Sequence, residues 1–375
     1  MRILHVIESL ELGGAERALL NVLPALARAG NDVEVAALWG PYPLAADLEA
    51  GGFTVHRLNI GHRWNVPSGT AKVARLLRRG RYEVVHAHLF FSTLYVAASK
   101  PWAPEARRVA TFHNLGFDSY PHTGTWRRAR KSLQRWFTRR GFDATTAVSD
   151  AVALHYDGHL RLPPSVVIPN AVVVEAGRNG DRNEATRARF GLSPEAFVAV
   201  MPARFVPEKG HRFILDALAE LRRRNLRPNV LLLGTGPVRG AVSRRIEELG
   251  LSDQARIHPT VPHQELVELL RAADAFVSSS TFEGSPLSIA EALSLETPVL
   301  ATSVGGVPEL VEDGVSGILV APGDASALGD GLARLMTDEP LRRRLAAAGR
   351  ERIQRRQAPD VVARELVELY QRLGP

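Results

Sequence analysis

Short apolar runs alternate with amphipathic stretches along most of the chain. Arg2 to Glu8 is a compact apolar run, Ala15 to Ala29 carries apolar residues at helical spacing, and Val33 to Leu38, Val84 to His88 and Val109 to His113 are again short and apolar. Runs of this length read as buried strands, and the helical periodicity between them implies parallel strands joined by crossover helices. The rhythm continues through Thr145 to Ser149 and Val166 to Pro169. A polar stretch with two glycines, Glu175 to Asn183, then interrupts it and reads as an interdomain linker. The pattern restarts with strand Phe197 to Met201, helix Arg212 to Arg224, strand Val230 to Leu233, helix Val238 to Leu249 and strand Ala275 to Ser278. After Asp324 only helical patterns remain, the last from Pro359 to Leu373. At 375 residues the chain suits two domains, and the restart predicts a second doubly wound unit. Open parallel sheets bind ligands at the carboxyl ends of their strands, so the active site is expected in a central cleft that both domains face.

Composition changes this picture little. Hydrophobic residues make up 45% and charged residues 23%, which is ordinary for a globular chain, and no apolar stretch is long enough to span a bilayer. The opening apolar run is interrupted by His5 and leads into a glycine turn, so it reads as a first strand rather than a secretion signal. Cysteine is absent, which removes disulfides, thiolate metal sites and thiol nucleophiles and suits a cytoplasmic setting. The net charge of +7 would suit an anionic partner, but lysine stands only at positions 72, 100, 131 and 209, so the excess is an arginine skew that base composition can produce.

The segment Ser278 to Ala292 concentrates chemistry directly after a strand. Ser285 is placed to cap a helix, Pro286 suits its first position, and Glu291 falls inside it. Free N–H groups at such a helix start make a site for a diphosphate, and Gly284 lets the backbone approach it. Glu283 and Glu291 are carboxylates that can grip paired sugar hydroxyls on one extended ligand. A second strand-to-helix loop, Ala203 to Gly210, carries Arg204 and Lys209, whose charges can neutralise a leaving diphosphate. An ion pair of Lys209 with Glu208 is the plainer alternative.

Together these segments resemble the large retaining glycosyltransferase family four, of GT-B architecture. The matching pieces run over almost the whole chain: Gly13-Gly14-Ala15-Glu16-Arg17, His86-Ala87-His88, Thr111-Phe112-His113-Asn114, Ala147-Val148-Ser149, Ile168-Pro169-Asn170, Arg204 to Gly210, Gly234-Thr235-Gly236-Pro237, Glu283 with Glu291, and Thr302 to Glu309. Each is weak alone; their order and spacing are specific.

The resemblance implies an acceptor-binding Rossmann-like domain over 1–172, a nucleotide-sugar-binding one over 173–357, and a C-terminal helix, 358–375, packed back on the first. It implies Glu291 on the donor ribose, Glu283 near the hexose, and Arg204 and Lys209 on the diphosphate. Backbone groups of Gly284, Ser285, Pro286, Leu287 and Gly14 would assist, and His113 would stand beside the transferred sugar. Transfer would retain anomeric configuration without a protein nucleophile, from a UDP- or GDP-sugar to a lipid-linked, polysaccharide-precursor or small-molecule acceptor. No cofactor is implied. The chain has no Asp-x-Asp triplet, so a metal-free site is expected. Where the family often has Gly-Val-Asp this chain has Ala171-Val172-Val173, and where it often has a glycine before Val261-Pro262-His263 this chain has Pro259 or Thr260, which leaves the base open.

Plainer readings stand beside these. Gly13-Gly14 can be a simple turn, and without full Gly-x-Gly-x-x-Gly spacing it does not mark a dinucleotide cofactor site. His113 can be a structural histidine bonded to a loop. Of His86 and His88, one is expected to be buried and structural and the other near the cleft. Residues 125–140 interleave Trp126, Leu133, Trp136 and Phe137 with seven basic residues. Such a helix either lies peripherally on the anionic inner face of a membrane or packs its aromatics on the sheet. Another GT-B enzyme, such as a sugar-nucleotide epimerase or a phosphorylase, is the alternative activity. A nucleic-acid binder is supported by the high pI alone, and no nucleic-acid-reading module is present.

Overall fold

The computed structural model describes residues 1–117, 125–174 and 183–374, leaving aside the side chains of 125–128. The linker read at Glu175 to Asn183 therefore lies, except for Asn183, outside the described residues. The chain divides into two compact units, Met1–Val172 with Arg356–Pro375, and Val173–Arg355.

The first unit holds seven strands: β1 (Arg2–Ile7), β2 (Asp32–Ala37), β3 (Thr54–Arg57), β4 (Val84–His88), β5 (Arg107–Phe112), β6 (Ala144–Ala147) and β7 (Val166–Val167). They are ordered β3-β2-β1-β4-β5-β6-β7, and every pairing is parallel. A parallel sheet carries helices on both faces, which is why its strands read as continuous apolar runs. Alternation nevertheless sorts their side chains. Ile3, Ile7, Val84 and Val109 face a core with Leu19, Leu23 and Leu26 of helix Gly14–Arg28 and Leu366 and Tyr370 of helix Pro359–Arg372. Leu4, Val6, Val85 and Ala110 face Val73, Leu77, Leu94 and Tyr95 on the other side. The C-terminal helix is thus part of the first unit, with an Arg28–Asp360 ion pair at 2.7 Å, and the chain leading into it is tied by Val172 N–H to Gln357 O at 2.9 Å.

The second unit holds β8 (Val198–Pro202), β9 (Asn229–Leu233), β10 (Ala255–His258), β11 (Ala275–Ser278), β12 (Val299–Thr302) and β13 (Ile318–Val320). Their order is β10-β9-β8-β11-β12-β13. Its core joins Ala199, Met201, Leu232 and Val277 with Ile214, Leu218 and Leu332 from the helices. Both orders reverse direction once, beside the first strand of the unit, so β1/β4 and β8/β11 are the switch points where loops diverge and leave a crevice. The pattern reading passed over β3, β10, β12 and β13. Thr54–Arg57 and Ala255–His258 are too short and polar to give an apolar run, and they sit at the edge of their sheets.

Candidate functional site

In the second unit two loops meet beside the switch point. The first leaves β8, forms a 3-10 turn at Pro207–Lys209 and enters helix His211–Arg223 through Gly210, whose φ of 64° is left-handed. A side chain at Gly210 would collide with the carbonyl of Ser279, so glycine serves both the backbone turn and the close approach of the second loop. Ser279 Oγ donates to Gly210 O at 3.0 Å, and Thr281 N–H to Glu208 O at 2.8 Å, which ties the loops together.

Across this seam Lys209 Nζ meets Glu283 Oε1 at 2.5 Å, with side-chain exposures of 20% and 10%. Ser280 Oγ donates to the same oxygen at 2.7 Å. Lys209 therefore pairs with Glu283 rather than with its neighbour Glu208. The exposed Arg204 guanidinium has no partner among the described residues. One cation is shared with a carboxylate and one stands open, an arrangement suited to receiving an anion.

The helix that follows differs by one position from the sequence reading. It runs Leu287–Ser294, Pro286 is its N-cap with ψ of 111°, and no side chain caps it. Ser285 is therefore not the cap. A residue before proline is disfavoured in the helical region, and proline has no N–H to offer the first turn. Gly284 and Pro286 are buried, while Ser285 and Leu287 are partly exposed at this helix start. Glu291 lies inside the helix with its side chain 14% exposed, and His263 Nδ1 stands 3.9 Å from Glu291 Oε1.

In the first unit the switch point is lined by neutral imidazoles. His5 and His86 are registered partners on β1 and β4, and His88 follows two residues on, on the same face. His5 Nδ1 contacts His88 Nε2 at 2.9 Å, and His88 Nδ1 contacts His113 Nε2 at 3.0 Å. His86 bonds Tyr370 Oη at 2.6 Å and Thr111 Oγ1 at 2.5 Å. Burial holds all four rings neutral: His5 is pulled down to about 3, His113 to about 4, and His86 and His88 well below the usual value of 6.5. Both His86 and His88 are buried, at 1% and 5% exposure.

His113 follows β5 directly, and its imidazole is bonded to a histidine of the neighbouring strand rather than to a loop. His5, His86 and His88 are the one group among the described residues whose ligand atoms approach closely enough for a metal, within 4.8 Å. Five of their six ring nitrogens already have hydrogen-bond partners, which accounts for the cluster without an ion.

Gly14 begins helix Gly14–Arg28, and the space a side chain would take there is open. Glu16 folds back over this helix start. Burial raises its carboxyl pKa, although it accepts a bond from its own backbone N–H. A cavity of about 480 Å³ is lined by His113, Asn114, Glu8, Arg63, Arg130 and Gln134, with Trp64, Phe90 and Phe91 among its apolar walls. Of these, Glu8, Arg63 and Gln134 were not singled out in the sequence because they share no motif, and Arg130 was read only as part of a basic helix. It lies 4.6 Å from the Phe90 ring, and Lys131 bonds His159 at 2.9 Å, so two of that helix's cations are used inside the unit. Leu133 and Trp136 remain 39% and 50% exposed, whereas Phe137 packs against the core of the first unit. Among the described residues, no helix is long and apolar enough to cross a membrane.

Comparison with known proteins agrees with this architecture. The model of the family described as Glycosyltransferase Family 4 matches residues 12–176, and that of Glycosyl transferases group 1 matches residues 182–352. D-inositol 3-phosphate glycosyltransferase of Frankia alni is 31% identical over 367 residues, covering 90% of this chain and 89% of the relative. Alpha-D-kanosaminyltransferase of Streptomyces kanamyceticus is 28% identical over 245 residues, covering 64% of this chain and 63% of the relative. Among solved structures, Anabaena HepE in complex with UDP-glucose superposes with a TM-score of 0.84 at 21% identity, covering 99% of this chain and 100% of that one. Sucrose-phosphate synthase from Thermosynechococcus elongatus gives 0.82 at 21% identity, covering 100% and 99%. Two Rossmann-like units, the two family models that match them and a relative matched over nearly its full length establish that this chain is a glycosyltransferase of family four, with GT-B architecture, that uses a nucleotide sugar.

Proposed function

We propose that this enzyme moves a hexose-type sugar from a UDP-sugar to a small phosphorylated polyol, with retention and without a metal. The observation that carries the reading is the Lys209–Glu283 pair beside the open Arg204, at the switch point of the second unit. Arg204 and Lys209 take the diphosphate, with the backbone of Gly284, Ser285, Pro286 and Leu287 at the helix start. As Lys209 turns to phosphate, Glu283 is freed to grip hexose hydroxyls, and Glu291 holds the ribose. His113 stands beside the sugar. The anomeric carbon–phosphate oxygen bond breaks, the acceptor hydroxyl bonds to the same face, and its proton passes to the departing β-phosphate oxygen. Nucleoside diphosphate leaves.

UDP is favoured over GDP because related structures were solved with UDP and UDP-glucose. A phosphorylated polyol is favoured because the relatives matched over most of their length act on D-inositol 3-phosphate and because Arg63 and Arg130 line the first unit's polar cavity. Thermal-shift titration with UDP-, GDP- and ADP-glucose, followed by UDP release with and without inositol 3-phosphate in EDTA, tests this. Stabilisation by UDP-glucose and acceptor-dependent release are expected; no shift with any nucleotide sugar overturns it.

A peripheral membrane contact on the cytoplasmic side is a second reading, favoured by the exposed Leu133 and Trp136 beside Arg139 and Arg140. Sedimentation with vesicles containing phosphatidylglycerol, but not with pure phosphatidylcholine, is expected. Equal behaviour with both would remove it.

A further inference from the structure

The His-x-His of β4 has no role in the transfer outlined above, yet its two histidines have different surroundings. His86 is tied to Tyr370 and Thr111, so it fastens the C-terminal helix to the sheet. His88 is bonded on one side to His5 and on the other to His113. The register explains the row: His5 pairs with His86, and His88 pairs with Thr111, so the next residue on that face after Thr111 is His113. Three neighbouring strands thus hand one line of imidazoles from the core to the rim of the 480 Å³ cavity.

We propose that His88, backed by His5, is a positioning residue that holds the His113 imidazole in one orientation and one tautomer at this cavity. The inference rests on the reading that His113 stands beside the transferred sugar. A neutral imidazole has one donor and one acceptor nitrogen. Three neutral rings in a row place one proton in each of the two contacts and the third at one end of the line. His5 Nε2 and His113 Nδ1 are those ends, and both are buried without a hydrogen-bond partner among the described residues. His113 cannot turn away from His88 without stranding a further buried nitrogen, and it cannot change tautomer unless both contacts reverse together. The hydrogen bond fixes what a lone imidazole at a loop would leave free.

Amide replacements separate the two ends. In His88→Asn the amide falls near the Nδ1 position and keeps the contact to His113; in His88→Gln it falls near Nε2 and keeps only the contact to His5. With UDP-glucose and inositol 3-phosphate, His88→Gln is expected to lose about tenfold in kcat with donor KM changed less than twofold, and His88→Asn to retain most of the rate. The double variant His88→Gln/His113→Ala is expected to be no slower than His113→Ala alone. Nitrogen-15 spectra of labelled histidine, with His113 assigned by its loss in His113→Asn, report the tautomer without turnover; one tautomer is expected in the parent and a mixture in His88→Gln. A slow His113→Ala beside a fully active His88→Gln overturns the positioning role and leaves the His113 reading intact. A fully active His113→Ala overturns that reading itself. Additive losses in the double variant, or an unchanged His113 tautomer in His88→Gln, reduce His88 to packing and overturn the inference.

Discussion

The two units share one strand order, apart from a seventh strand at the edge of the first, but furnish their switch points oppositely. Beside β8 and β11 the second unit places charge: a lysine and a carboxylate at 2.5 Å and an open arginine. Beside β1 and β4 the first unit places four histidines that burial keeps uncharged. A diphosphate needs cations and N–H groups, whereas sugar hydroxyls need oriented donors and acceptors. The topology supplies a crevice in each unit, and only the side chains at its rim decide which ligand suits it.

The largest test of this contrast is acid. His5, His86, His88 and His113 have folded pKa values below the 6.5 of the unfolded chain, so below pH 6.5 the unfolded state binds more protons and stability falls as pH falls, down to about pH 4 for His113 and about pH 3 for His5. Each such histidine contributes roughly 1.4 kcal/mol per pH unit once well below 6.5. In the second unit His211 is pulled down to about 4 by burial. Hydrogen exchange at pH 7 and pH 5 should show β1 and β4 losing protection well before β8 and β11; matched losses would erase the distinction.

Next in size is the buried Arg187–Asp274 pair of the second unit, at 2.8 Å with exposures of 0% and 3%. Arg187 also donates to the carbonyls of Ala272, Pro194 and Ala196. Arg187→Met should destabilise by about 3–5 kcal/mol, because it removes the countercharge of a buried carboxylate, which keeps only neutral donors such as Val198 N–H. Denaturant unfolding of the variant checks this, and a loss below about 1 kcal/mol would show that the unit relaxes around Asp274.

Smaller effects separate the roles on the charged rim. Glu283→Ala should lower kcat about 100-fold with a modest change in donor KM, since its grip is assigned to the reacting sugar. Glu291→Ala should raise donor KM about tenfold at nearly constant kcat, the cost of about one charged hydrogen bond to ribose. Steady-state kinetics with UDP-glucose reads both, and equal, negligible effects would refute the assigned roles.

Much of this was legible beforehand. The strands Val84–His88 and Ala275–Ser278 coincide with their apolar runs, because a buried parallel strand cannot hide its composition. Glu283, Arg204 and Lys209 stood out because each follows a strand in a loop with glycine or proline at defined offsets, and Glu291 because it falls in the helix that such a loop opens. Helix Leu287–Ser294 began one residue later than expected, since whether a proline caps or enters a helix depends on its ψ, which local composition does not set. Arg63 and Arg130 gave no signal, because cavity walls are assembled from separate elements.

By itself, then, the sequence determined two parallel-sheet units and the loops in which chemistry resides, because strand and helix periods are local properties of the chain. Tertiary structure alone decided the partners. Lys209 meets Glu283 across 74 residues, and His5 meets His88 across 83. Those pairings depend on strand order and register. The resulting burial keeps the four imidazoles of the first unit neutral.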